Sequence, residues 1–253
     1  MDIITHTLSG VLVGATAASF TKNTRSKIWF ILAGTLGGCL PDIDAISLWS
    51  GFDDSFGKLL KLEQSGHDIY FSKLWYAHHG FFHSMAAIIF YLLVYFVAKK
   101  IIGIITQVHT EVNLNGCMAF SGGYMAHILE DLPTPSGSWG GVNLFWPSDK
   151  WIGGTGQTWW WNNYDIFLIV LVSCCISLVL IFLNIKWLKT CSLIIFFSAF
   201  FVIIYQLNSR DFNFNSEGYG AKETISLDIQ KKILGHKIFG IMSKMDDNIK
   251  FNF

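Results

Sequence analysis

The sequence predicts an all-α fold, a multi-pass membrane helical bundle of about six apolar helices with its motif-bearing loops on one face. Of the 253 residues, 52% are hydrophobic and only 14% are charged, whereas about a quarter of the residues in a soluble domain are charged. The hydrophobic residues are also concentrated in separate runs, which polar segments divide. Because so much apolar surface requires lipid to cover it, we expect several helices to contact the bilayer.

Six apolar runs are the expected helices, and they differ in length. They cover residues 8–20, 28–40, 85–98 or 85–105, 117–129, 166–183 and 190–207. The last two have 18 residues each and no charge, close to the ~20 residues that span a bilayer. The first, second and fourth reach only ~20 Å, so they are either buried core helices or spans that flanking residues complete. Glycines in these short runs predict close contacts between the helices. These glycines are Gly10, Gly14, Gly34, Gly37, Gly38, Gly122 and Gly123.

The chain is expected to form one membrane domain over residues 1–207, followed by a polar tail over 208–253. Cytoplasmic loops of membrane proteins are enriched in Lys and Arg. If all six runs cross the bilayer, three basic connections lie on the same side of it. They contain Lys22, Arg25 and Lys27, then Lys99 and Lys100, then Lys186 and Lys189. We therefore expect a bacterial inner (plasma) membrane protein whose termini and motifs lie on the non-cytoplasmic face. The acid at position 2 argues against a cleaved signal peptide, which needs a basic n-region.

Composition and motifs argue against several classes of function. The formal net charge is zero, and there is no basic stripe or RNA-binding motif, so we expect no nucleic-acid partner. The five cysteines lack metal-type spacing and are expected to be buried apolar side chains. The sequence also lacks the G-x-S-x-G elbow of serine hydrolases, the P-loop and the dinucleotide-binding motif.

Histidines and unusual acids stand at the run ends that the predicted topology brings to one face. In chain order they are Asp2, His6, Asp42, Asp44, His78, His79, His83, His127, Glu130 and Asp131. His127 and Asp131 are four residues apart, so they share one face of a helix that Pro133 is expected to end. Acids at a helix C-terminus meet the negative end of its dipole, and no Lys or Arg occurs between Lys100 and Lys150. A bound cation would supply the missing positive charge.

We therefore predict a site for one or two divalent metal ions. Its predicted ligands are His6, Asp42, Asp44, His78, His79, His83, His127 and Asp131. Imidazole nitrogens and carboxylate oxygens suit Zn²⁺, the ion we expect, and also Mn²⁺, Fe²⁺ or Ni²⁺. Each motif alone has a simpler interpretation, since Asp42 and Asp44 after Pro41 can form a turn and His6 can be a hydrogen-bonded core group. Convergence on one face favours the metal site, because the alternative needs four unrelated explanations.

Four ordered motifs carry a resemblance to a known family. They read THTLSG at 5–10, LPDID at 40–44, HHGFFHS at 78–84, and HILEDLPTPSG at 127–137 with LFWP at 144–147. Over residues 1–150 the chain resembles the YdjM-type family of membrane-bound metal-dependent hydrolases. The resemblance implies a polar set of His6, Asp42, Asp44, His78, His83, His127 and Asp131. In the third motif this chain has His79 and Phe82 where the family has Arg and Thr, so His79 is either an additional ligand or a replacement for that positive charge.

The resemblance implies hydrolysis of an ester or phosphoester. A weaker similarity of the His-x3-Asp pattern to zinc phospholipase C and P1 nuclease suggests a phosphoester, such as a phospholipid headgroup. The metal would activate water, while Asp44 or Glu130 would act as general base or orient a ligand.

Two alternatives without hydrolysis stay open: a membrane transporter or metal-binding regulator, and a scaffold that a metal stabilises. A transporter would have ionisable residues in mid-membrane, and runs three, five and six hold none unless the third extends over Lys99 and Lys100. The tryptophans after the fourth run are expected to form an interfacial belt or, alternatively, to bind a headgroup. They are Trp139, Trp146, Trp151 and Trp159 to Trp161.

Overall fold

The computed structural model describes residues 2–108, 111–135, 137–154, 160–183, 185, 187–210 and 219–248. The α-helices are α1 (Ile3–Ala18), α2 (Thr24–Cys39), α3 (Lys58–Leu60), α4 (Gly66–Tyr70), α5 (Met85–Thr106), α6 (Leu114–Asp131), α7 (Tyr164–Leu183), α8 (Leu188–Ser209) and α9 (Tyr219–Asn248). Between them lie two 3-10 helices, Pro41–Leu48 and Phe81–His83, and a π-helical turn, Asp53–Gly57. Val142 and Ile152 form an isolated antiparallel bridge. The predicted all-α class is confirmed.

Within the described residues, three helices are long and apolar enough to cross a membrane, namely α5, α7 and α8. A fourth span results if α2 and the 3-10 helix Pro41–Leu48, which meet at 50°, are counted as one broken span. The predicted number of about six spans is therefore not confirmed. The first run forms only the 16 residues of α1, and the fourth forms α6, which ends in the polar cluster of the site. Both helices pack inside the bundle, where contacts with protein replace contacts with lipid.

Glycines hold α1, α2 and α6 in close contact, as the short runs predict. A Cβ on Gly10 would lie 2.3 Å from the carbonyl oxygen of Gly34, and a Cβ on Gly123 would lie 2.3 Å from the same oxygen. One turn further along α2, a Cβ on Gly38 would lie 2.4 Å from the carbonyl oxygen of His6. Such close backbone approach is typical of helices packed in membranes. It fixes the distance between the start of α1 and the ends of α2 and α6.

The end of α2 bends because Pro41 follows it closely. Proline lacks the backbone N–H that would continue the helix, and the chain turns by 50° into the 3-10 helix Pro41–Leu48. This bend brings Asp42 to the end of α6, where its Oδ1 lies 3.5 Å from Nε2 of His127. Asp42 and Asp44 thus do more than form a turn, since both contact histidines of other segments.

The region predicted as a polar tail contains the helix α9, which packs against the start of α7. Gln230 Oε1 accepts a hydrogen bond of 2.9 Å from the backbone N–H of Tyr164. The Tyr164 hydroxyl in turn donates to Asp246 at 2.8 Å. Gly235, with a φ of 72°, interrupts the helix between these two contacts. The tail therefore lies at the end of the bundle where α7 begins.

The third run extends further than its uncharged part. Helix α5 continues to Thr106 and so includes Lys99 and Lys100 in its second half. Its other end begins two residues after His83, so the lysines lie far from the histidine motif. Lys186 of the third basic connection and residues 211–218 and 249–253 of the tail lie outside the described residues.

Candidate metal centre

The eight predicted ligands meet at one end of the helical bundle. They are His6 in α1, Asp42 and Asp44 after α2, His78, His79 and His83 before α5, and His127 and Asp131 at the end of α6. All are buried except Asp42, which is partly exposed. Asp2 has a different role, because its carboxylate accepts the Thr5 backbone N–H at 2.9 Å and caps α1. The structure thus brings together every side chain predicted to bind metal.

Three histidines whose Nε2 atoms face Asp131 are each oriented by an oxygen atom behind the ring. Each donates a hydrogen bond from Nδ1 to that oxygen, so Nε2 is the atom that faces the candidate metal position, as is usual for histidines that bind metals. The three pairs are His6 with Glu130 Oε2 at 2.7 Å, His79 with the Gly141 carbonyl at 3.2 Å and His127 with the Gly38 carbonyl at 2.7 Å. Their Nε2 atoms all lie on the side of Asp131.

Asp131 is the residue at which these rings converge. Its Oδ1 lies 3.1 Å from Nε2 of His6, and its Oδ2 lies 3.0 Å from Nε2 of His127 and 3.6 Å from Nε2 of His83. Neighbouring ligand atoms of one ion are ~3.0 to 3.4 Å apart when the bonds to the metal are near 2.1 Å. The observed distances therefore fit ligands that share an ion, and the two oxygens of Asp131 can serve one ion or two.

His83 links Asp131 to the acids that follow α2. Its Nε2 lies 3.4 Å from Asp42 Oδ1, and its Nδ1 lies 3.4 Å from Asp44 Oδ2. Burial opposes a charge on this ring, but the nearby carboxylates of Asp44 and Asp42 outweigh burial and raise the pKa of His83 to about 9. Without a cation the ring therefore carries a proton at neutral pH. A metal ion that binds His83 must displace this proton.

His79 has an unusual backbone conformation for a residue other than glycine, with φ at 63°. Strained residues of this kind concentrate at functional sites. Burial, followed by the neighbouring rings of His78 and His83, holds the pKa of His79 well below its ordinary value. The ring is consequently neutral, so it does not supply the positive charge of an arginine. This favours the alternative in which His79 is an additional ligand.

His78 connects the buried cluster to an open cleft. Its Nδ1 donates to Asp44 Oδ1 at 2.8 Å, and its ring stacks on Tyr70 with 4.4 Å between centroids. Together with Asp42 and Asp131, it lines a cleft of about 660 Å³. A molecule in this cleft would therefore meet three of the predicted ligands at once.

Several buried atoms of the cluster have no hydrogen-bond partner within the described part of the chain. They are His6 Nε2, His79 Nε2, His83 Nδ1 and Asp44 Oδ2. Each buried polar atom left unpaired costs ~1 to 3 kcal/mol, so their accumulation at one place indicates a bound partner. Groups of three ligand atoms within 4.8 Å of one another occur here, for example in His6, His127 and Asp131. The donor set thus fits a divalent cation of the kind that nitrogen and oxygen ligands prefer.

Sequence reasoning missed most of the groups that orient the ligands. Ser9 donates to Glu130 Oε1 at 2.5 Å, so both oxygens of Glu130 are engaged, one by Ser9 and one by His6. Ser9 follows His6 by three residues on α1, and this helical spacing was a usable indication. The carbonyl groups of Gly38 and Gly141 offered none, because every residue type has a carbonyl.

Two of the tryptophans predicted for an interfacial belt are buried, so that prediction is wrong for them. Trp139 is 4% exposed and Trp160 is 3% exposed. The Trp139 ring lies 5.0 Å from the His78 ring and 4.8 Å from the His79 ring, measured between centroids. The glycine-rich segment after α6 folds back onto the site, which residue type alone did not indicate. Trp159 lies outside the described residues.

Comparison with known protein families identifies a related family. A family model described as "YdjM inner membrane protein" matches residues 1–210. The match covers more than the motif-bearing residues 1–150, since it also includes α7 and α8. No curated protein and no solved structure matches the chain.

Proposed function

Since the chain belongs to the YdjM family of inner membrane proteins, we propose that the cluster at its helix ends is a divalent metal centre that hydrolyses an ester or phosphoester. One observation carries this proposal. The Nε2 atoms of His6, His79 and His127 are oriented from behind by oxygen acceptors and lie around the carboxylate of Asp131. Groups fixed in this way support metal centres whose ligands must keep one orientation.

The metal would supply the chemistry that activates water and polarises the substrate oxygen. His6, His79, His83, His127 and Asp131 would hold one or two ions, with zinc as the expected ion, and Asp42 would complete the set at the cleft. Glu130 would act as a positioning residue, because its oxygens hold His6 and Ser9 and leave it poorly placed to accept a proton from water.

The pair of Asp44 and His78 is the proposed acid–base group. Asp44 accepts the Nδ1 proton of His78, which makes Nε2 the basic atom of a ring that lines the cleft. His78 would take a proton from the attacking water, while Asp44 would stabilise the resulting imidazolium. The general base is then His78, with Asp44 as the residue that orients it.

Turnover of chromogenic substrates tests this function. Full-length protein in detergent is incubated with bis(p-nitrophenyl) phosphate and with p-nitrophenyl esters, before and after treatment with EDTA. We expect hydrolysis that chelation abolishes and that added Zn²⁺ or Mn²⁺ restores. Hydrolysis that persists unchanged after the metal has been removed would contradict the proposal.

Replacing His78 with glutamine separates acid–base chemistry from metal binding. We expect His78→Gln to keep the metal content of the wild type and to lower kcat by about 10² to 10⁴-fold, the usual contribution of a general base. Elemental analysis and steady-state kinetics on the same preparation measure both quantities. A His78→Gln protein that loses its metal would instead assign His78 as a ligand.

A transporter or metal-binding regulator is the main alternative, and a metal-stabilised scaffold is the other. Lys99 and Lys100 lie within α5, the feature that a transporter would require. The His and Asp cluster, however, lies at helix ends beside an open cleft, as a surface reaction requires. Metal flux through proteoliposomes without ester hydrolysis would favour the transporter.

The centre is proposed to face away from the cytoplasm. Lys22 lies between α1 and α2, and Arg25 and Lys27 lie in the first turn of α2, at the bundle end opposite His6. Basic residues favour the cytoplasmic side. The helix α9 packs at the end where α7 begins, so the C-terminus should lie on the same side as the metal centre.

We expect alkaline phosphatase fused after Phe253 to be active in a bacterial host, and green fluorescent protein fused there to be dark. The reverse pair of results would overturn this orientation.

A further inference from the structure

The cleft beside the metal centre has an unequal lining. Asp42, His78 and Asp131 line one part of it, and much of the remaining wall is apolar or aromatic. The apolar wall includes Ile3, Leu48, Phe71, Trp139 and Trp161. Its volume of about 660 Å³ falls in the range of ~300 to 1,000 Å³ that is typical of small-molecule sites. The described lining residues include no Lys or Arg, so the wall offers no fixed positive charge to a second anionic group.

The cleft lies at the level where the apolar spans begin. Trp161 precedes the first residue of α7 by three positions, and His78 precedes the first residue of α5 by seven. Both α5 and α7 are long enough to cross the membrane. A helical turn rises only ~5.4 Å, so the part of the cleft that Trp161 lines lies close to the boundary between headgroups and hydrocarbon.

The rim of the cleft also suits an apolar environment. Along the 3-10 helix Pro41–Leu48, Ala45 and Leu48 line the cleft, while Ile43 and Ile46 on the same helix are about half exposed. Phe71 lines the cleft and is itself 40% exposed. Exposed apolar side chains that continue into a pocket indicate an apolar ligand or a lipid surface, and the neighbouring spans make lipid the nearest source.

We infer that the substrate is a membrane lipid with an ester or phosphoester and a small headgroup of no net negative charge, whose acyl chain occupies this cleft. The identity of the reacting group rests on the proposed function, and the position of the acyl chain rests on the lining of the cleft. In the reaction, the oxygen of water bonds to the phosphorus or acyl carbon and the ester P–O or C–O bond breaks. One proton of the water remains with the acid product and the other passes to the leaving oxygen.

Photolabelling tests the occupant of the cleft without requiring turnover. Full-length protein is placed in nanodiscs that contain phosphatidylethanolamine with a diazirine on one acyl chain, irradiated and analysed by peptide mass spectrometry. Lipid-facing helices such as α5 and α8 will be labelled in any case and provide the internal reference. We expect additional adducts on Leu48 and Phe71. A soluble glycerophosphoethanolamine headgroup added before irradiation should not reduce their amount.

A matched pair of variants on one helix makes the test specific. Leu48→Trp fills the cleft and should lower the adducts on Phe71 by about tenfold relative to those on α5, because the larger ring occupies the space of the acyl chain and a tenfold weaker occupancy corresponds to ~1.4 kcal/mol. Ile46→Trp, two residues away on the exposed side, should leave them unchanged. If Leu48→Trp loses its metal or fails to fold, Ala45→Val narrows the same cleft with a smaller group.

The outcomes separate this inference from the proposed function. Cleft adducts without any hydrolysis would support the lipid site and remove the hydrolase. Hydrolysis of soluble esters without cleft adducts would keep the hydrolase and overturn the lipid substrate. Three results would each overturn the inference: adducts confined to α5 and α8, equal labelling in Leu48→Trp and wild type, or weaker cleft labelling in the presence of the soluble headgroup. The last result would point to a free phosphoester as the substrate instead.

Discussion

Replacement of Asp131 by alanine is expected to lower kcat/KM for ester or phosphoester hydrolysis by about a thousandfold or more. Its two oxygens lie within 3.1 Å of Nε2 of His6 and of Nε2 of His127, so the substitution removes the carboxylate on which the rings converge. A catalytic metal contributes several kcal/mol of transition-state stabilisation, and ~1.4 kcal/mol corresponds to a tenfold change in rate. Steady-state kinetics with bis(p-nitrophenyl) phosphate measures the loss.

The control for this substitution is an acid outside the cluster. Asp149 is exposed, and Asp149→Ala should keep wild-type turnover. Circular dichroism and size-exclusion profiles show whether Asp131→Ala retains its fold, because the loss of a buried carboxylate among histidines also changes stability. Wild-type kinetics in a folded Asp131→Ala protein would exclude this carboxylate from the reaction.

Substituting Gly123 with alanine is expected to disrupt the bundle beneath the metal centre. The added Cβ would lie 2.3 Å from the Gly34 carbonyl oxygen, a backbone atom that cannot move without shifting α2. Overpacking of this kind costs ~1 to 3 kcal/mol or more. Because His127 follows Gly123 by one turn on α6, we expect a lower melting temperature together with weaker metal binding.

The adjacent glycine supplies a matched control for the packing prediction. A Cβ on Gly122 would lie 3.0 Å from Cγ1 of Val13, the end of a side chain rather than backbone. Gly122→Ala should therefore unfold at a temperature close to that of the wild type. Thermal unfolding of both variants in the same detergent distinguishes them, and equal melting temperatures would refute the proposed role of the Gly34 contact.

The sequence allowed the site to be predicted better than the fold around it. The predicted ligands could be recognised because basic connections and apolar runs together placed their segments at one end of a bundle. The spacing of His127 and Asp131 on one helix added a local geometric rule. The structure confirms the proximity of these side chains, whereas metal binding itself stays a prediction.

Other features depended on long-range contacts that residue types do not encode. The predicted number of about six spans is not confirmed, because α1 and α6 are not among the helices long and apolar enough to cross the membrane and both pack against other helices. The interfacial position predicted for Trp139 was wrong because the segment after α6 folds onto His78 and His79. The Gly38 carbonyl became a partner of His127 only through the close approach of α2 and α6.

Metal content tests the central claim most directly. Elemental analysis of the detergent-purified full-length protein is carried out beside the double variant His127→Ala/Asp131→Ala, after identical dialysis against metal-free buffer. We predict about one or two equivalents of divalent metal per chain in the wild type, as expected for a folded site with nitrogen and oxygen ligands, and almost none in the variant. Equal, near-zero metal in both proteins would contradict the account.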